Sequence, residues 1–137
     1  MQHEKPEIIQ LPKICDPRGN LSFVESLHHV PFDIRRTYWV YDVPGGKIRM
    51  GHAFREQEEF IIALSGSFDV VLNDGVSSTT YHMARSYYGL YVPSMMWRML
   101  DNFSTNSVVF VLSSELYDPT DYIEDFNEYK ALLSNND

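Results

Sequence analysis

Short runs of β-branched and aromatic residues recur along this chain, and a turn signal cuts off each one. That rhythm constrains the fold more than any other feature, because many short strands at near-even spacing pack as a sandwich or close into a barrel. The first run is Ile8 to Leu11. Asp16-Pro17-Arg18-Gly19 then makes a turn, and a strand is expected from Leu21 to Ser26. Arg36 to Val43 stops at Pro44-Gly45-Gly46, and Ile48 to Phe54 and Glu59 to Leu64 come next. Phe68, Val70 and Leu72 alternate with Asp69, Val71 and Asn73, the period-2 pattern of a half-buried strand, and Asp74-Gly75 closes it with a hairpin signal. Thr79 to Met83, Gly89 to Val92, Trp97 to Leu100 and Ser107 to Leu112 supply the later strands.

The tail changes period. Asp118-Pro119 reads as a helix start, with Asp as cap and Pro in the first turn. A helix is expected over about 119–133, with Tyr122, Phe126, Tyr129 and Leu133 on the face that docks on the barrel or on a partner subunit. The 137 residues fit a single domain spanning 1–137, and 44% apolar content is enough for a core. The lone Cys15 cannot form an internal disulfide, which suits the reducing cytoplasm, and a small buried filler is its expected role. Met1 to Pro6 is polar and shows no signal peptide, and apolar runs such as Phe60 to Leu64 are too short to span a bilayer, so no membrane association is expected. A net charge of −8 without a basic tract argues against nucleic acid. Seven of the eleven basic residues are arginines, whose planar fork matches phosphate oxygens, so a small phosphorylated ligand stays compatible.

The segment from Arg49 to Gly66 carries most of the chemical information. His52, Glu59 and Gly66 stand where the first cupin motif has its first His, its Glu and its last Gly, and the segment resembles that motif. Phe54 occupies the position of the second His. Residues i and i+2 on a strand point to the same side, here into a barrel. The second motif would place a His after a Pro, but Pro93 is followed by Ser94, Met95, Met96 and Trp97. A metal cupin needs about three protein ligands. His52 and Glu59 offer two, so no metal and no cofactor is expected. His28-His29 could be read as a metal pair, but neighbours on a strand point to opposite faces, which discounts it; His3, His28, His29 and His82 are expected at the surface or in packing. A barrel histidine without a metal can do acid–base work, since its pKa lies near neutrality.

At this point the chain resembles the bacterial sugar 3,4-ketoisomerase family of cupins. The likeness runs through Asp16-Pro17-Arg18-Gly19, Arg36-Thr37-Tyr38 leading to Asp42-Val43-Pro44, and Arg49 to Gly75. It continues through Tyr91-Val92-Pro93 with Trp97, and Ser114-Glu115-Leu116-Tyr117-Asp118 with Asp121-Tyr122-Ile123. The resemblance implies an all-β jelly-roll barrel with a short C-terminal helix. It implies a dTDP-4-keto-6-deoxyglucose-like substrate of deoxysugar and O-antigen pathways, and a homodimer that exchanges N-terminal strands. It makes His52 the base and Tyr38 the acid or relay, with Arg18, Arg49 and Arg98 as candidates for the diphosphate and Glu59, Phe54 and Trp97 as further substrate contacts. Members usually read His-Ala-His where this chain has His52-Ala53-Phe54, so only the first His carries over. Two other readings stay open: a non-catalytic nucleotide-sugar-binding cupin, to which Phe54 lends support, and a sugar epimerase that returns the proton to the carbon it left.

Overall fold

The computed structural model describes residues 5–135. Among these residues, ten strands form two five-stranded antiparallel sheets. The first sheet runs β1 (Glu7–Gln10), β7 (Tyr88–Val92), β4 (Glu59–Ser65), β9 (Val108–Ser113), β2 (Arg36–Val40). The second runs β10 (Tyr122–Ile123), β3 (Arg49–Phe54), β8 (Trp97–Asp101), β5 (Phe68–Asn73), β6 (Ser78–Met83). This is the jelly roll that the resemblance implied, one form of the sandwich or barrel expected from the strand rhythm.

Side-chain parity decides what lies between the sheets. In β5, Phe68, Val70 and Leu72 are buried while Asp69, Val71 and Asn73 are not, as their alternation requires. They meet Ile61, Ala63, Leu90, Val92, Val109 and Val111 of the first sheet, which fills one end of the barrel. In the loop after β5, Gly75 takes φ +96, a conformation that glycine reaches without strain. The outer face of the first sheet is covered by Leu11, Val30 and Phe32 packed on Phe60, Ile62, Tyr91 and Leu112.

Three expectations are corrected. Residues 21–26 form no strand of their own: Ile14 and Leu21 make one antiparallel bridge, Ser26 and Val30 one parallel bridge. Leu21 and Phe23 are exposed, so their β-propensity finds no ladder within this chain. The helix does not begin at Pro119. Asp118 caps a single 3₁₀ turn, Pro119–Asp121, after which Tyr122 and Ile123 pair with Phe54 and Ala53 of β3. That pairing takes Tyr122 out of the helical stripe, and the helix α1 runs Phe126–Asn135 with Asp125 accepting from the Asn127 N–H. Cys15, finally, is exposed rather than buried.

The rest of the helical stripe docks as expected. Phe126, Tyr129, Leu132 and Leu133 pack on Ala53, Trp97 and Ile123. Tyr129 is fully buried, which contributes about 2 kcal/mol. Its hydroxyl lies 2.9 Å from the Met95 carbonyl and 3.1 Å from that of Asn73, tying the helix to the loop before β8 and to the end of β5. None of the helices among the described residues is long and apolar enough to cross a membrane.

Candidate active site

The second end of the barrel is open and holds a cavity of about 410 Å³. The first sheet contributes Tyr38 and Val40, Glu59 and Ile61, and Val111; the second contributes Arg49 and His52, and Arg98 and Leu100. In three of these strands a buried or half-buried polar group is followed two residues later by an apolar one, so a single strand face supplies both halves of the lining. Ile48 completes it.

One irregularity is needed to build this wall. On β3 Arg49 sits opposite Leu100 and His52 opposite Arg98, so three steps on β3 match two on β8. In a regular ladder residues three apart face opposite ways. The extra residue, a bulge, lets Arg49 and His52 both face the cavity. Gly51 lies within this stretch, and a Cβ there would stand 2.3 Å from the Trp97 indole nitrogen. Glycine is what allows the two strands to close with a tryptophan behind them.

Glu59 is the electrostatic centre. It is only 1% exposed. Its Oε1 accepts from Arg98 Nη1 at 2.6 Å, and its Oε2 accepts from Gln57 Nε2 at 2.8 Å and from the Tyr38 hydroxyl. Arg98, itself 3% exposed, also donates to the Met96 carbonyl at 3.0 Å. A carboxylate saturated by a guanidinium, an amide and a phenol, with a cation against it, is a poor metal ligand, so this donor set does not fit a metal. Burial pushes the Tyr38 phenol well above its ordinary 10; the adjacent Glu59 charge and the hydrogen bond to it push the same way, and Arg98 opposes them weakly. Tyr38 is therefore a protonated donor at neutral pH.

His52 packs edge-on against Phe54, with ring centroids 4.9 Å apart, and lies 5.4 Å from the ring of Tyr122. Phe54 is fully buried beside the cavity rather than lining it. Its ring carries the Arg98 guanidinium at 5.0 Å and steadies the His52 imidazole by contact. Trp97 lies on the opposite face of β8 from Arg98, under α1, with its ring 5.2 Å from Phe126 and 5.7 Å from Tyr129. Arg49 is exposed where β3 begins. Arg18 is outside this cavity, on the exposed turn, paired with Asp16 at 2.9 Å. The structure thus brings His52, Tyr38, Glu59, Arg49 and Arg98 together and leaves Arg18, Phe54 and Trp97 off the lining.

Several contributors escaped sequence reasoning. Val40, Ile61 and Leu100 could have been found by stepping two residues from Tyr38, Glu59 and Arg98. Gln57, Arg36 and Tyr122 carry no comparable signal. Arg55 pairs with Glu128 at 3.1 Å and donates to the carbonyls of Thr120 and Tyr122. The reason given for discounting His28-His29 fails, because they lie in a turn and their rings stack at 4.2 Å. With Glu25 they form a cluster close enough to share a metal. Yet each ring already has a partner at Nδ1: His29 accepts there from the Glu25 N–H at 2.8 Å, and His28 lies 3.4 Å from Glu25 Oε1.

Comparison with known proteins decides the family. The description "FdtA: WxcM-like, C-terminal" matches residues 4–134. The chain belongs to the FdtA family. A TDP-4-oxo-6-deoxy-α-D-glucose-3,4-oxoisomerase of Aneurinibacillus thermoaerophilus is 34% identical over 93% of this chain and 92% of its own length. The TDP-quinovose 3,4-ketoisomerase of Campylobacter jejuni superposes with a TM-score of 0.90 at 36% identity, covering 94% of this chain and 99% of that one. A 3,4-ketoisomerase of Thermoanaerobacterium thermosaccharolyticum in complex with TDP gives 0.93 at 29% identity, with 96% of both chains covered. The expected likeness to sugar 3,4-ketoisomerases thus holds along nearly the whole of this FdtA-family chain.

Proposed function

We propose that this isomerase moves the carbonyl of a dTDP-4-keto-6-deoxyhexose from C4 to C3, in deoxysugar and O-antigen assembly. The observation that carries the reading is the convergence of His52 and the protonated Tyr38–Glu59 couple on one cavity in a chain of this family. His52 takes the proton from C3, which the neighbouring ketone acidifies. As charge develops on O4, the Tyr38 phenol gives it a proton; the phenolate left beside the Glu59 carboxylate is a strong base whose charge Arg98 offsets. The enediol then loses the O3 proton to Tyr38, while His52 returns its proton to C4. The carbonyl now stands at C3, both residues are restored, and no metal takes part. Arg49, exposed at the mouth, meets the diphosphate. Arg98, held by Glu59 and the Met96 carbonyl, serves the sugar end instead.

The unit is a homodimer built by exchanging N-terminal strands. In support, Ile14, Leu21, Phe23 and Leu27 are exposed on a segment that makes only isolated bridges within its own chain. Arg18 then reaches the diphosphate in the partner's cavity. Carbonyl migration followed by NMR in heavy water tests the reaction, with dTDP-4-keto-6-deoxyglucose as substrate. His52→Asn should fold and lose about 10²–10⁴ in rate. Equal turnover by both proteins removes His52 as base. Binding without exchange at C3 in the wild type replaces the isomerase with a binding module.

A further inference from the structure

Behind Tyr38 and Glu59 lies a polar chain that the chemistry above uses only at its near end. Arg36, the first residue of β2, has its guanidinium 5.2 Å from the ring centre of Tyr38 and 5.5 Å from that of Tyr117. Its Nη2 donates to Gln57 Oε1 at 3.1 Å. Gln57 is 2% exposed, and its Nε2 donates to Glu59 Oε2, the oxygen that accepts from Tyr38. Neither Arg36 nor Gln57 lines the cavity.

A carboxamide can sit either way round, and the two ways have opposite consequences for its neighbours. Here one flank is a guanidinium, which only donates, and the other is a carboxylate, which only accepts. One orientation satisfies both flanks. The flipped one would set the amide oxygen against the carboxylate and the NH₂ group against the arginine. Arg36 thus secures from behind the orientation that the carboxylate also favours, and Gln57 meets Glu59 Oε2 as a fixed donor. That donor leaves the carboxylate less able to pull the proton fully away from Tyr38, and it fixes the oxygen at which the phenol is aimed.

We propose that Arg36 and Gln57 are positioning residues for proton exchange between the substrate oxygens and Tyr38. This rests on the ketoisomerase reading above. Proton removal at C3 by His52 does not need them, while migration of the carbonyl does. Every abstraction that fails to be completed by the oxygen-to-oxygen transfer returns a solvent deuteron to C3. The ratio of C3 exchange to carbonyl migration therefore reports on the positioning, and it does not depend on how much of a preparation is active.

The full-length protein is assayed with dTDP-4-keto-6-deoxyglucose in heavy water, reading C3 deuteration of recovered substrate and product formation by NMR. Tyr38→Phe sets the scale and should raise the ratio most. Gln57→Leu and Arg36→Met should raise it about tenfold, with KM within about twofold of wild type, because neither side chain touches substrate. Arg36→Lys, which keeps a donor-only cation, should fall back toward the wild-type ratio. If Gln57→Leu and Arg36→Met slow migration but leave the ratio at the wild-type value, the two residues are only structural and the proposal is overturned. If they change nothing while Tyr38→Phe raises the ratio, the proposal is overturned and the role of Tyr38 stands. If Tyr38→Phe itself leaves the ratio unchanged, the assignment of Tyr38 fails and takes the proposal with it. Should Gln57→Leu fail to fold, Arg36→Met and Arg36→Lys carry the same comparison with Gln57 intact.

Discussion

Replacing Arg98 with methionine should be the most costly single change at the cavity, and the cost is electrostatic. Arg98 and Glu59 are 3% and 1% exposed, and their 2.6 Å contact is the only ion pair that Glu59 makes among the described residues. Removing the guanidinium leaves a buried carboxylate with two neutral donors, Gln57 and Tyr38. Truncating one partner of such a pair costs about 3–5 kcal/mol, most of it the uncompensated charge. Loss of the cation over the Phe54 ring adds about 0.5–1 kcal/mol, partly offset by packing of the new thioether. Urea unfolding of the purified protein reads this directly. With a denaturant slope of about 2 kcal/mol/M, the midpoint of Arg98→Met should fall by about 1.5–2.5 M. Glu59→Gln is nearly isosteric and keeps an acceptor, so the double variant Glu59→Gln/Arg98→Met should recover most of that loss. A single variant within about 1 kcal/mol of wild type would refute the reasoning. So would a double variant no more stable than Arg98→Met.

Other outcomes follow from the same geometry. Stability should fall as pH rises above about 10, because Tyr38 and Tyr91 keep their protons in the fold to higher pH than in the unfolded chain. A group whose folded pKa is raised gives its full contribution below the unfolded pKa and loses it above, at up to about 1.4 kcal/mol per pH unit for each tyrosine. Tyr38→Phe should flatten that slope in thermal melts at pH 9 to 11, and an unchanged slope would contradict it. Gly51→Ala should destabilise by about 2–4 kcal/mol and change Trp97 fluorescence, since the added methyl collides with the indole; wild-type stability would show that β3 and β8 can part freely. Tyr129→Phe should cost about 1–2 kcal/mol in chemical denaturation through the carbonyls of Met95 and Asn73, and no measurable loss would mean that water replaces the hydroxyl. Co-expressed Arg18→Ala and His52→Asn chains should regain activity in mixed dimers, up to about a quarter of the wild-type rate, if Arg18 serves the partner's cavity. No recovery would place Arg18 in its own chain's site or outside catalysis.

The strands were legible because parity is local. Phe68 to Asn73 announces its buried face in six letters, and the structure follows it residue by residue. His52 and Glu59 were legible through motif spacing, and Tyr38 and Arg98 through family likeness. What escaped is settled by partners far along the chain. Tyr122 fits a helical stripe with Phe126, Tyr129 and Leu133, yet two backbone pairs with β3 outweigh that period. Leu21 to Ser26 has the composition of a strand and lacks a neighbour to pair with. Gln57 and Arg36 are ordinary polar letters 21 residues apart, and only the barrel brings them into hydrogen-bond contact. Cys15 went the wrong way because a statistical tendency to burial says nothing about a particular turn.

The placing of Tyr122 and Ile123 has a practical consequence. β3 carries Arg49 and His52, and among the described residues the strand on its flank away from β8 is Tyr122 and Ile123. The docked helix pins them through Ile123, Trp97 and Tyr129. A slip of β3 by one residue along β8 would turn His52 out of the cavity and Ala53 in. The last stretch of the chain therefore works as a latch on the phase of the strand that bears the base. Shortening the protein after Tyr117 would leave every cavity-lining side chain in the sequence and still silence the cavity. For the same reason, an appended purification tag is safer ahead of β1 than fused directly to α1.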